Sequence, residues 1–279
     1  MKYTLIKYLL SIFSVLLFQC GSVKQIENQP LKEVLISAHR GGPRAGFPEN
    51  ALETLQNTAD NIANVMLEID VRPTLDSVLI LMHDKSLDRT TTLTGLVKDY
   101  PLETLKTTYL IDKNGKLTKM RIPTLEEVLL WLKGQPAFLT LDVKDKSTFK
   151  QVIDLVNKHQ LKEKVEIITY RIPDAELVHK IDATMFLSMS IGSKDVLNRV
   201  LRTNINIKKV SAFTGVHLKD TSLYSALKNK GIAVTLGTMG NLDNRAKAKG
   251  FNLFKEWKAL GINRFATDNP FEVNEVFNE

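Results

Sequence analysis

Five short segments of this chain carry the groups that phosphate ester chemistry needs. They are His39-Arg40-Gly41, Pro48-Glu49-Asn50, Glu68-Ile69-Asp70, His83-Asp84 and Asp142-Val143-Lys144. Glu68 and Asp70 stand two apart in an apolar run, so on an extended strand both point to one face. Two carboxylates on one face repel each other unless a cation holds them. Two imidazoles can give and take protons near neutrality, and an arginine and a lysine can hold an anionic ester. The chemistry expected of such a set is metal-assisted cleavage of a phosphodiester.

The residue types assign roles. Glu68, Asp70 and Asp142 offer hard oxygen ligands suited to Mg²⁺ or Ca²⁺. Zinc is the weaker choice, because no cysteine is available and the histidines are committed to proton transfer. His39 and His83 form the acid and base pair. Arg40 and Lys144 bind the phosphate, Arg40 through its planar fork. Glu49 and Asn50 are candidates to reach the metal or to orient a ligand, and Asn50 also suits the N-cap of the helix that starts there. His159, His179 and His217 have no such acidic company and read as surface or packing residues.

The elements that must position these groups follow from the pattern of apolar runs. Eight β-rich runs occur at Val34–Ala38, Val65–Val71, Ala137–Val143, Val165–Thr169, Thr184–Met189, Lys209–Phe213, Ile232–Gly237 and Arg264–Thr267. Helical stretches separate them, among them Ala51–Asn64, Leu125–Lys133, Thr148–His159, Asp174–Ile181, Leu223–Lys230, Asp243–Leu260 and Phe271–Phe277. Alternation of this kind predicts an α/β fold, a (β/α)8 TIM barrel, with an open doubly wound sheet as the runner-up. Barrel enzymes act at the C-terminal ends of their strands. His39-Arg40 follows the first run, Glu68 and Asp70 close the second, and Asp142 and Lys144 close the third.

One run breaks the alternation. Val78–Met82 follows Val71 after only six residues. A parallel crossover takes about a dozen. The link must therefore be a hairpin, turning near Thr74-Leu75-Asp76-Ser77 and returning His83 to Glu68. Residues 72–120 then form an insertion at the barrel mouth, with Asp88-Arg89-Thr90-Thr91 bracing it. After it, Thr124 and Glu127 make a capping box for the second helix.

The linked set of HRG, PEN, ExD, HD, DRTT and DxK resembles the glycerophosphodiester phosphodiesterase family, over about Ile36 to Pro270. The resemblance implies the same roles for His39, Arg40, Glu68, Asp70, His83 and Lys144. It also implies hydrolysis of a small glycerophosphodiester substrate to glycerol phosphate and an alcohol, with water or the glycerol's own hydroxyl as nucleophile. Three features depart from the family. The third ligand is Asp142 where Glu is usual, the loop from Gly41 to Pro48 is one residue longer, and the seventh strand ends Thr235-Leu236-Gly237-Thr238-Met239-Gly240 in place of a Trp- and Asn-bearing motif. Two rivals differ from this reading. One is an enzyme cleaving whole lysophospholipids. The other is a non-catalytic lipoprotein that captures phosphate esters.

The 279 residues, 43% hydrophobic and 25% charged, suit one large globular domain over 33–279. The N-terminus is separate. Lys2 and Lys7 precede an apolar run from Tyr8 to Phe18, too short to span a bilayer and right for the core of a secretory signal over residues 1–19. The sole cysteine, Cys20, stands where a bacterial lipoprotein is lipidated, and residues 20–32 read as a polar tether to the membrane. The expected location is the periplasm or cell surface. Formal charge is +7, and losing Lys2 and Lys7 leaves +5. This suits anionic substrates, and solvated surface lysines account for it equally well. No basic and aromatic cluster supports nucleic-acid binding. Cys20→Ser is expected to release the protein from membranes or leave it unprocessed. Fractionation with N-terminal sequencing checks this, and a variant equally membrane-bound with an unchanged mature N-terminus would refute the lipid anchor.

Overall fold

Eight parallel strands close on themselves, and the reason is legible in each strand's two faces. The computed structural model describes residues 35–279, so the signal, Cys20 and the tether expected over 1–32 lie outside the described residues. The strands are β1 (Ile36–Ala38), β2 (Met66–Pro73), β3 (Leu79–Leu81), β4 (Phe138–Val143), β5 (Val165–Thr169), β6 (Phe186–Ser190), β7 (Val210–Phe213), β8 (Ala233–Gly237) and β9 (Arg264–Thr267). Each pairs in parallel with the next around the barrel except β3, which runs antiparallel on β2. β9 pairs with β1 and β1 with β2, which closes the ring. A closed barrel has no free edge, and the open doubly wound alternative is excluded.

Side chains alternate inward and outward along these strands. On β2, Leu67, Ile69 and Val71 join the main hydrophobic core with Leu139, Leu141 and Val143 of β4. The surrounding helices supply the other side of that core, for example Val152, Ile153 and Val156 of the helix Phe149–Lys158. Strands covered in this way are buried along nearly their whole length. The intervening positions face the barrel interior, where Glu68, Asp70, Thr140, Asp142, Glu166 and Arg264 line one cavity. Beneath it, Met66, Phe138 and Phe186, the first residues of three strands, form a small apolar plug.

The barrel interior also holds an ion pair. Arg264 Nη1 donates to Glu166 Oε1 at 2.6 Å, with both side chains almost fully buried. The Thr140 hydroxyl donates to Glu166 Oε1 and the Ser211 hydroxyl to Oε2. The pair ties β5 to β9, on opposite sides of the ring, by charge-assisted bonds.

The hairpin forms as the six-residue spacing requires. Val71, Arg72 and Pro73 lie opposite Leu81, Ile80 and Leu79, and the Met82 amide donates to the Asp70 carbonyl at 2.9 Å. The insertion that follows is more ordered than its polar composition suggests. Ile80, Met82, Leu87, Val97, Leu105, Leu110 and Ile122 make a second core of their own, with a short helix at Leu102–Leu105. The capping box forms too. Thr124 Oγ1 accepts from the Glu127 amide while Glu127 accepts from the Thr124 amide.

Two helical expectations need correction. The stretch Asp243–Leu260 is two helices, Asn241–Lys249 and Leu253–Ala259, broken at Gly250, whose φ of +100° only glycine adopts readily. A helix at Lys194–Val200, absent from the expected set, follows β6 with Ser193 as its cap. Its seven residues are too few to show a helical period.

Glu166→Ala removes the carboxylate to which Nη1 of the buried Arg264 donates. The expected loss is about 3–5 kcal/mol of stability, read as a lowered urea midpoint. A change below about 1 kcal/mol would show that the pair contributes little to the fold.

Candidate active site

The strand register itself assembles the carboxylates. Asp70 and Asp142 are direct partners across β2 and β4, and Glu68 sits one inward position back on β2. Oxygens of all three side chains lie within 4.8 Å of one another, and each residue is buried. Three points that close can all touch one ion at typical Mg²⁺ or Ca²⁺ bond lengths of about 2.0–2.6 Å. The donors are all carboxylate oxygens, which suits a hard divalent cation better than zinc.

Charge supports the same fit. Lys144 Nζ bonds Asp70 Oδ1 at 2.7 Å and Asp142 Oδ2 at 2.5 Å. Three ionised carboxylates beside one ammonium leave two negative charges, which one divalent ion would balance. Burial together with the neighbouring Asp70 charge pushes the Glu68 carboxyl up to about 8. The desolvation and repulsion behind that rise are what a cation would relieve. Neutral donors hold the cluster in shape. The Arg40 amide donates to Glu68 Oε2 at 2.8 Å, Asn50 Nδ2 to Asp70 Oδ2 at 2.8 Å, and the Tyr170 hydroxyl to Asp142 Oδ2 at 2.6 Å.

The loop after β1 is bent to make these contacts. Arg40 has φ +51°, and Gly41 and Gly42 follow with φ of +83° and +84°. A Cβ on Gly41 would collide with Leu55. This left-handed turn points the Arg40 amide at Glu68 while its guanidinium reaches Glu49, with Nη1 to Oε2 at 3.0 Å. Asn50 is not the N-cap expected of it. It takes φ +58°, which asparagine tolerates, the cap position falls to Ala51, and the Asn50 amide is spent on Asp70.

Both histidines line the carboxylate cavity, and each is held through Nδ1 by an aspartate. His39 Nδ1 donates to Asp268 Oδ1 at 2.7 Å, and His83 Nδ1 to Asp84 Oδ1 at 2.7 Å. That leaves Nε2 of each ring as the proton-exchanging atom. Burial alone would depress His39. The hydrogen bond to Asp268 and the charges of Glu68 and Asp268 outweigh it, so His39 is held above its ordinary value. Arg72 fixes His83 from behind by donating Nε and Nη2 to its carbonyl, at 3.0 and 2.7 Å.

His39, His83, Glu68, Asp70, Asp142 and Lys144 line one cavity, whereas Arg40 reaches the triad through its backbone amide and its side chain turns to Glu49. Asn50 orients Asp70, and Glu49 is outside the carboxylate triad and orients Arg40. Its oxygens accept from Arg40 and, at 2.8 Å each, from Nη1 and Nη2 of Arg89. Arg89 in turn donates Nε to Asp84 Oδ2 at 2.6 Å, which helps hold Asp84 down to about 2. The DRTT segment therefore braces the insertion against the first loop. His159 bonds Glu126 at 3.0 Å and stands apart from the cavity. Residues missed from sequence are Asp268, Asp84, Tyr170 and Arg89. Asp84 and Arg89 lie inside quoted motifs, and Asp268 closes the last strand, so position offered a signal for these three. Nothing local marked Tyr170.

Comparisons with known proteins agree with this geometry. The family model described as the glycerophosphoryl diester phosphodiesterase family matches residues 39–270. A glycerophosphodiester phosphodiesterase of Bacillus altitudinis is 28% identical over 175 residues, 59% of this chain and 68% of that protein. Other curated relatives align over 57% and 58% of their own length. The crystal structure of a glycerophosphoryl diester phosphodiesterase from Parabacteroides distasonis superposes with a TM-score of 0.77 at 29% identity, covering 88% of this chain and 86% of that one. An Oleispira antarctica phosphodiesterase, solved in complex with the product sn-glycerol-3-phosphate, shares the fold at 18% identity, with a TM-score of 0.68 over 88% and 97% of the two chains.

Asp268→Asn removes the carboxylate that raises His39. The His39 pKa should fall, and an NMR titration of the imidazole resonances reads it directly. An unchanged or raised value would mean that Asp268 does not set the charge of the ring.

Proposed function

The chain belongs to the glycerophosphoryl diester phosphodiesterase family, and from that premise we propose that it cleaves glycerophosphodiesters to glycerol phosphate and an alcohol by metal-dependent acid–base catalysis. The observation that carries this reading is the meeting of two Asp-held histidines with three converging carboxylates in one cavity. The product bound in the Oleispira enzyme is consistent with it.

Glu68, Asp70 and Asp142 would hold the divalent ion, Mg²⁺ or Ca²⁺. When bound, it would draw a phosphate oxygen and offset the charge that grows in the transition state. Lys144, already between Asp70 and Asp142, adds a positive charge beside that oxygen. Arg40, whose side chain is turned to Glu49 and does not line the cavity, would reach the ester only by swinging a guanidinium edge away from that contact.

The histidines divide the proton work. His39 is held above its ordinary value, which favours its protonated form, so it gives a proton from Nε2 to the leaving alcohol oxygen. His83, turned by Asp84 so that Nε2 is free, accepts the proton of the attacking oxygen. The same two transfers serve a water or the glycerol's own hydroxyl as nucleophile. The protein is proposed to work outside the cytoplasm, tethered through lipid on Cys20 at the periplasmic membrane or cell surface. The charged start, short apolar run and lone cysteine support that location.

His39→Ala and His83→Ala should each lower turnover at least about a hundredfold, and His159→Ala should leave it near wild type. Chelation should abolish alcohol release from a glycerophosphodiester panel, and Mg²⁺ or Ca²⁺ should restore it. Near wild-type rates for either of the first two variants, or full activity in chelator, would defeat the mechanism.

A further inference from the structure

The catalytic cavity is small. Its volume of about 190 Å³ falls below the roughly 300–1,000 Å³ of sites that enclose a whole small molecule. A glycerophosphodiester seated on the carboxylates must therefore project beyond it. A larger groove of about 690 Å³ adjoins, and Lys144 lines both spaces.

The groove runs between the hairpin, the insertion and the loop after β4. Its charged lining is Arg72, Lys85, Lys98, Lys144 and Lys146, against one carboxylate, Asp145. Some of that charge is already answered. Lys144 bonds Asp70 and Asp142, Lys146 bonds Asp174, and Asp145 accepts from Ser147. Lys85 and Lys98 are different. Both are exposed, and neither pairs with a carboxylate among the described residues. Arg72 gives two of its donors to the His83 carbonyl, and the carboxylates of Asp70, Asp84, Asp142 and Asp145 act on its charge, so the unanswered charge of the groove is that of Lys85 and Lys98. Cations gathered in a concave surface focus a positive field.

We propose that this groove is a second anion subsite, which seats a phosphate or carboxylate carried on the alcohol portion of the substrate. The inference rests on the phosphodiesterase reading. In a glycerophosphodiester the glycerol side carries only hydroxyls, so a further anion can stand only on the alcohol side. Arg72 links the subsite to catalysis, since it braces His83 from the groove wall. The enzyme accordingly prefers diesters with anionic alcohols over those with neutral or cationic ones.

The test compares kcat and KM for glycerophosphocholine, glycerophosphoglycerol and glycerophosphoinositol 4-phosphate, in the wild type and in Lys85→Ala/Lys98→Ala. Both lysines are exposed and lie outside the catalytic machinery, so the variant should fold. The wild type should favour the inositol phosphate diester. The variant should raise KM for that substrate about fivefold to tenfold, the size of losing two exposed charge contacts, with kcat and the neutral diester unchanged. Added salt should erase the preference. Equal kcat/KM for all three substrates in the wild type would overturn the subsite alone, and so would an equal loss on every substrate in the variant. Inorganic phosphate that altered cleavage of the neutral diester in the wild type but not in the variant would make the groove a free-anion site and overturn the proposal. Hydrolysis of none of the three would overturn the phosphodiesterase reading beneath it.

Discussion

The constraint on which the rest of the structure depends is negative charge buried where two strands meet. Asp70 and Asp142 face each other across β2 and β4, with Glu68 beside them. Buried carboxylates at this separation cannot all remain ionised without compensation. The protein answers with one ammonium and a ring of dipoles from Lys144, Tyr170, Asn50 and the Arg40 amide. That compensation is incomplete, as the raised Glu68 carboxyl records. The three carboxylates could hold a metal ion, which would relieve the uncompensated remainder. Arg40 and Asn50 both take left-handed backbone, and from there the Arg40 amide donates to Glu68 and the Asn50 side chain to Asp70.

The second requirement is that two histidines reach this cluster from different parts of the chain. His39 comes with the first strand and is anchored on Asp268 after the last one, so the site straddles the seam where β9 closes on β1. His83 comes from the insertion, which could drift relative to the barrel if it were held only by the hairpin. Arg89 ties it to the first loop, as does the Gly46 amide donating to Asp112 Oδ2 at 2.7 Å. Arg89 bonds Glu49 on the first loop and Asp84 beside His83, so the Arg40–Glu49–Arg89–Asp84–His83 chain spans the mouth. The insertion's own apolar core gives the chain a firm base.

The departures from the family pattern acquire physical content here. Asp142 is shorter than glutamate by one methylene, about 1.5 Å. Its Oδ2 accepts from both Lys144 and Tyr170, which locks the shorter side chain in one position. At the end of the seventh barrel strand, β8, Met239 just beyond it and Phe213 of the neighbouring β7 line the cavity and crowd Gly237, where a Cβ would stand 2.8 Å from Phe213 and 3.0 Å from Met239. Phe213 and Met239 thus make part of the cavity lining apolar and close-fitting, and Lys144 lines both this cavity and the basic groove.

Much of this was determined by the sequence alone. The β5 and β9 bounds, Val165–Thr169 and Arg264–Thr267, coincide with their apolar runs, and the Thr124 capping box follows from spacing. Two-residue alternation put Glu68 and Asp70 on one face, and a six-residue gap forced the hairpin that returns His83. These are consequences of local periodicity and chain reach, which any stretch carries within itself. Other features required the closed barrel. His39 and Asp268 are 229 residues apart and meet only because the last strand pairs with the first. Tyr170 finds Asp142, and Glu49, open in the sequence as a ligand or an orienting residue, pairs with Arg40 and Arg89, through loops that leave different strands. Asn50 reads as a helix cap until its amide is claimed by Asp70. Partner choice among strand-end side chains depends on strand register and on the compensation of buried charge, and both exist only once the ring has closed.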